Sequence, residues 1–301
     1  MATMLQLVQQ ATAEMGLTVP SAVASNTSSD IVQILALLNS VGYELIRLAE
    51  WQKCITEYQF ETEVTSTTGD TVDASAVITN IPDTTGLDTT YMVTGTNIVQ
   101  DTYILTVDSA TQVTLNNPTT DTETGSTIVF SKTKYAMPSD FDRLINRTQW
   151  DKTNHWEMIG PQSSQEWQWL KSGYIQTTPR VRFRQLGGFY QIWPPQTESD
   201  LYGFEYLSKN WAINASGTAI SSFTADDDTC IFQDRLMVAG LKLKYFSIKG
   251  FDTTDFRRDW NYQLEAALSS DKGAPNLNLA PRPQSVLISY NSIPDSGYGN
   301  S

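Results

Sequence analysis

Between Ser29 and Cys54 apolar residues recur at Ile31, Ile34, Leu35, Leu38, Val41, Leu45, Leu48 and Ala49. This is the i, i+3, i+4, i+7 spacing of one helix face, and it predicts a long helix over 29–54. Ser29 or Asp30 can cap its start, because a short side-chain oxygen satisfies a backbone N–H that the first turn leaves free. No proline interrupts the run, so at about 1.5 Å per residue it would be a rod of roughly 35–40 Å. Asp30, Gln33, Glu44, Arg47 and Glu50 fall off the stripe. Alone, it reads as an ordinary core-packing helix.

Shorter patterns flank it. Met4–Glu14 carries Leu5, Val8 and Ala11 or Thr12 on one face, and Gly16 stops it. Ile55–Glu61 alternates like a strand. Near the other end, Cys230–Lys249 predicts a helix with Ile231, Phe232, Leu236, Met237, Ala239, Leu241 and Leu243, closed by Gly250. Asp252 or Thr253 then caps a last helix whose stripe is Phe256, Trp260, Leu264, Ala267 and Leu268, ending at Gly273. Residues 274–301 contain Pro275, Pro281, Pro283 and Pro294, which rules out a helix. The segment reads either as a disordered tail or as an extended arm anchored by Val286, Leu287, Ile288 and Tyr290.

In the middle the periodicity changes. From Thr62 to Thr133 short alternating runs appear at 76–81, 91–94, 103–107, 112–115 and 127–131, divided by turn residues such as Pro82-Asp83, Gly95 and Asn116-Asn117-Pro118. This predicts an inserted all-β module of immunoglobulin-like sandwich type. After it, Pro138 restrains Met137 to an extended form, and Ser139 or Asp140 starts a turn or a short helix. A helix is expected around 163–171. Arg180–Leu186 and Phe189–Trp193 then flank Gly187-Gly188 as a hairpin, Leu201–Ser208 is a further strand, and 210–223 is a looser segment.

These patterns place the chain in the α+β class: a helical core with a small antiparallel sheet, formed by 1–61 and 134–273, plus the 62–133 insertion and the 274–301 arm. A length of 301 residues is consistent with about two domains. The net charge is −13. Residues 62–133 hold nine acids against Lys132 alone, a net −8, so the other residues carry −5. Such a surface repels nucleic acid, though a wall along which DNA slides should not grip phosphates. Cys54 and Cys230 are too few for a disulfide framework and are expected as buried thiols in helices, in a protein made in a reducing compartment. No membrane partner is expected, and the N-terminus lacks the basic and apolar segments of a signal peptide.

No catalytic constellation emerges, so the chain is read as not an enzyme, with no cofactor and no metal. His155 is the only histidine and sits in the polar run 152–157. Asp226-Asp227-Asp228 could hold a hard cation but reads more simply as a cap for a helix beginning at Cys230. Arg180, Arg182 and Arg184 alternate with Val181 and Phe183, which puts three cations on one strand face. They are candidate channel or interface residues, or a solvated strand face.

The order of the stretches resembles the head-to-tail adaptor (connector) proteins of tailed bacteriophages. The resemblance rests on the re-entry YxxPSDFDRL (Tyr135, Pro138, Ser139, Asp140, Phe141, Asp142, Arg143, Leu144), on IWPP at 192–195, and on FEY at 204–206. It covers about 1–61 and 134–301. The insertion is a departure, since simpler adaptors join those strands by a short turn. The resemblance implies a structural virion protein of the neck or tail, made in the host bacterial cytoplasm. It also implies a homo-oligomeric ring of about twelve subunits. The ring would sit between the portal protein and the tail nozzle or tube, with fibre or capsid proteins as further contacts, and double-stranded DNA would pass through it. A receptor- or glycan-binding tail protein and a virion-associated hydrolase are the alternatives.

Overall fold

The computed structural model describes residues 1–172 and 180–272. It opens with α1 (Met4–Glu14) and α2 (Ser29–Leu48), a single 3-10 turn at Gln52–Cys54, and β1 (Ile55–Glu61). The 62–133 stretch supplies β2 (Val64–Thr71), β3 (Val77–Ile78), β4 (Tyr91–Gly95), β5 (Ile104–Ser109), β6 (Gln112–Leu115) and β7 (Glu123–Lys132). Next come β8 (Lys134–Ala136), β9 (Phe141–Leu144), β10 (Trp150–Asp151), β11 (Trp156–Glu157), α3 (Ser164–Lys171), β12 (Arg182–Leu186), β13 (Phe189–Trp193) and β14 (Leu201–Ser208). The described chain ends with β15 (Ala212–Ile213), β16 (Ala219–Ile220), β17 (Thr229–Cys230), α4 (Asp234–Lys249) and α5 (Thr254–Lys272).

This corrects the expected fold class. The described residues form a mostly β protein, with seventeen strands in five antiparallel sheets against five helices, and not a helical adaptor core with a small sheet. The reason is physical. An amphipathic helix announces itself through its own 3.6-residue period. The two-residue strands β10, β11, β15, β16 and β17 are too short to show a period of their own and are defined only by pairing, β10 with the remote β14, β15 with β17, and β11 and β16 at the ends of those ladders. Segments expected to be loop, turn or helix therefore became strand: 212–213 and 219–220 within the looser segment, 141–144 after Asp140, and 229–230 at the start of the expected helix.

By contacts the chain divides into two compact units. The first takes Met1–Thr56, Ser139–Leu144 and the described chain from Glu205 onward. Its core joins Leu7, Val8, Ile34, Leu38, Val41, Leu45, Trp211, Phe232, Met237 and Leu241. By length and composition alone α2 could cross a bilayer, yet its apolar stripe belongs to this core. The helix is shorter than its pattern. Ala49 turns extended, and the buried Trp51 indole N–H donates to the Leu45 carbonyl at 2.6 Å, satisfying an end carbonyl of the helix. Ala49 and Trp51 remain in the core from outside the helix, so the apolar pattern overruns the helical backbone. α4 likewise starts four residues late, because Cys230 is held in a β ladder opposite Ala212.

The second unit takes Glu57–Pro138 and Ile145–Phe204. Within it, β2-β7-β4 and β3-β6-β5 form two three-stranded sheets that share one core of Ile78, Ile81, Tyr91, Val93, Ile104, Val113, Leu115, Ile128 and Phe130. Polar bonds tie the base of this pair of sheets: Lys132 pairs with Glu63 at 2.7 Å, Tyr91 donates its hydroxyl to Glu63 at 2.6 Å, and Thr62 N–H reaches the Asp200 carbonyl at 2.9 Å. Beside them, β12-β13-β8 forms a third sheet. Gly187 and Gly188 both have positive φ, 61° and 81°, the geometry that the tight hairpin turn requires. Aromatic rings fill the interior, with Phe183, Tyr190 and Phe204 stacked at centroid distances of 5.1 and 4.8 Å.

Candidate functional site

β12 carries the arginine pattern. Pleating sends Val181 and Phe183 inward, where both are buried, and turns Arg182 and Arg184 to the other face, where both are half-buried. The strand has partners on both sides. β13 pairs along one edge, and the segment after β11 docks on the other, with Phe183 N–H donating to the Ile159 carbonyl at 3.0 Å and Gln162 N–H to the Phe183 carbonyl at 3.0 Å. Each arginine also has a local setting. Arg180 stands over the Trp156 ring at 5.9 Å, Arg184 donates to Ser164 Oγ at 2.8 Å, and the Arg182 Nε is buried without an acceptor. Arg182 and Arg184 thus share one face of β12, whereas Arg180 lies in the bend before the strand, and Arg180 and Arg184 are each held by a neighbour. The proposed arm residues Val286, Leu287, Ile288 and Tyr290 lie outside the described residues.

The acidic triplet has a different role from the expected cap. α4 begins at Asp234, and its cap residue Gln233 makes no side-chain cap bond. Asp226 instead accepts the backbone N–H groups of Val23 and Ala24 at 2.9 and 2.8 Å. Asp228 accepts those of Thr224 and Ala225 at 2.7 and 2.8 Å. The backbone carbonyls of Asp228 and Asp226 accept from Met4 and Leu5, so the loop satisfies free donors at the start of α1. Asp227 is exposed.

His155 is exposed, in a turn with φ 58°. Cys54 and Cys230 are both buried free thiols, and burial pushes each up to about 12. Cys54 ends the 3-10 turn, but Cys230 sits in β17, which corrects the expectation of a helix there. Among the described residues no group of histidine, cysteine and carboxylate side chains has the makings of a metal site. Burial, reinforced by Asp151 and Glu198, raises Asp200 above the ordinary aspartate range.

A cleft of about 220 Å³ opens where β4, β8, α3 and the β12–β13 hairpin meet. Lys134, Lys171 and Arg184 contribute charge, Gln168 and Gln191 contribute amides, and Tyr103, Trp167 and Trp193 contribute rings. The cationic groups are far apart in sequence and no local motif joins them, so sequence reading missed the cleft. Only the scarcity of basic residues near an acidic insertion could have drawn attention to Lys134 and Lys171. Comparison with protein-family models gave no match, and comparison with curated proteins gave none either.

Proposed function

We propose that the chain is a structural virion protein of a tailed bacteriophage, a subunit of the head-to-tail adaptor ring that joins the portal to the tail nozzle or tube. Two of the stretches behind the resemblance meet in the first unit. The re-entry strand β9 pairs with β14, Leu144 opposite Tyr206 and Arg143 opposite Leu207. Asp140 accepts the hydroxyls of Tyr206 at 2.8 Å and Ser208 at 2.6 Å, which fixes the re-entry against that strand.

The observation that carries the assembly reading is on the helices. Val32, Tyr43 and Leu48 of α2, Ile248 of α4, Phe251 in the turn after it, and Tyr262 of α5 are between 46% and 69% exposed. Val32 and Tyr43 are eleven positions apart and so fall on one side of α2, and on this reading that side, with the exposed rings of Phe251 after α4 and Tyr262 of α5, is where further copies would pack. On this reading the protein works by assembly and not by turnover. Repeated contacts hold the ring, and a net charge of −13 keeps passing DNA from adhering.

The test is the oligomeric state of the protein mixed with its portal, by mass photometry and negative-stain imaging. The expected result is a ring of about twelve copies seated on the portal. A stable free trimer indifferent to the portal would overturn the reading in favour of a receptor-binding tail protein.

A further inference from the structure

The cleft beside β8 is at odds with the charge of its surroundings. It brings Lys134, Lys171 and Arg184 together next to a stretch that carries −8. Lys171 is matched by Asp101 at 2.7 Å. The other two have neutral partners among the described residues: Lys134 donates to the Thr89 carbonyl at 3.3 Å and lies 5.2 Å from the centre of the Tyr103 ring, and Arg184 holds Ser164. Burial first, and then the ammonium of Lys171, keep Lys134 below the ordinary lysine range, although Asp101 and Asp88 pull the other way. Gathering cations where they repel and lose water is unfavourable unless something negative completes the site.

The remaining lining indicates what that is. Gln168 and Gln191 can each both donate and accept hydrogen bonds, which suits hydroxyl groups. Trp193 is 2% exposed, and its indole N–H has no acceptor. Tyr103, Trp167 and Leu186 supply apolar surface for a ring face. The volume is below the roughly 300–1,000 Å³ of a drug-sized pocket, so the occupant is small. Phosphate or sulfate alone would leave the amides and the apolar wall without a role.

We propose that this cleft binds a sugar acid, a single pyranose carrying a carboxylate, with the carboxylate facing Lys134 and Arg184 and the hydroxyls facing Gln168 and Gln191. The site lies wholly in the second unit and does not depend on ring formation. Failure of this proposal leaves the adaptor reading standing, and the reverse also holds.

The experiment titrates the full chain with sodium glucuronate, followed by tryptophan fluorescence and calorimetry, with glucose and sodium sulfate as matched probes. Saturable glucuronate binding, absent with glucose, is expected. It should weaken by about tenfold or more in Lys134→Gln. Arg184→Gln should show the same loss and serves if Lys134→Gln does not fold. Absence of saturable glucuronate binding, equal binding of glucose, or sulfate binding as tightly as glucuronate (an adventitious ion only) would each overturn the proposal.

Discussion

Gly42 lies flat against the indole of Trp211: a Cβ at position 42 would stand 2.3 Å from Cζ2 of that ring. The ring cannot easily retreat, because Trp211 is fully buried and meets Phe223 edge-on at 4.9 Å. In an exposed helix interior, replacing glycine by alanine stabilises by about 1 kcal/mol. Here the sign should reverse. Gly42→Ala is expected to lower stability by about 1–3 kcal/mol, the usual cost of overpacking a core. Urea unfolding monitored by tryptophan fluorescence measures it, and a raised midpoint would mean that the indole moves aside without cost.

The acidic loop offers a contrast between neighbours. Asp226 accepts two backbone N–H groups from the segment before α2, whereas Asp227 is exposed. Asp226→Ala leaves those two donors without their acceptor and should cost about 1–3 kcal/mol. Asp227→Ala should stay within about 0.5 kcal/mol of the parent. Chemical denaturation of the two variants side by side checks this. Equal losses would show that the triplet acts through its summed charge and not through the Asp226 bonds.

These residues also show how far the sequence could be read. α1, α3 and α5 were legible nearly to the residue, because capping serines, threonines and aspartates and a 3.6-residue period are local signals. The hairpin at Gly187-Gly188 was legible because two adjacent residues with positive φ nearly demand glycine. Asp226 was not legible, since its partners Val23 and Ala24 lie some two hundred positions away in sequence. The same applies to β15 and β17, whose pairing is long-range, and to β2, whose run of threonine and serine shows too little contrast between its faces. For the sites, the alternation of Arg182 and Arg184 was visible in advance. The engagement of Arg184 by Ser164, and the meeting of Lys134 with Lys171, are products of tertiary structure alone.

The two thiols make a kinetic prediction. Cys54 and Cys230 are buried, and burial raises both to about 12, so neither the thiolate nor access to it is available in the folded chain. A disulfide-exchange reagent at neutral pH should label neither thiol in the native protein and both in urea. Labelling in the absence of denaturant should follow the unfolding equilibrium. Rapid labelling of one thiol in the native state, located by mass spectrometry, would reveal local opening around the 3-10 turn or β17.

Asp200 gives a pH dependence with a definite sign. Burial, then Asp151 and Glu198, raise its carboxyl above the ordinary value of 3.8. The folded state therefore holds this proton more tightly than the unfolded state does. The associated stability is present below the unfolded value and is lost as pH rises through the folded value, so at neutral pH the charged carboxylate is a burden. Asp200→Asn should accordingly unfold at a higher denaturant midpoint than the parent at about pH 7, with the advantage shrinking as pH falls toward the ordinary aspartate value. The backbone bonds of Asp200 to Thr62 survive the change. Glu14, held low by Lys242, and Glu57, held low by Lys152, lose their contributions as pH falls. That loss is common to both proteins and cancels in the difference between them. If Asp200→Asn were no more stable than the parent at neutral pH, a cation or donor must hold Asp200 as the carboxylate, and the repulsion from Asp151 and Glu198 would not be what governs it.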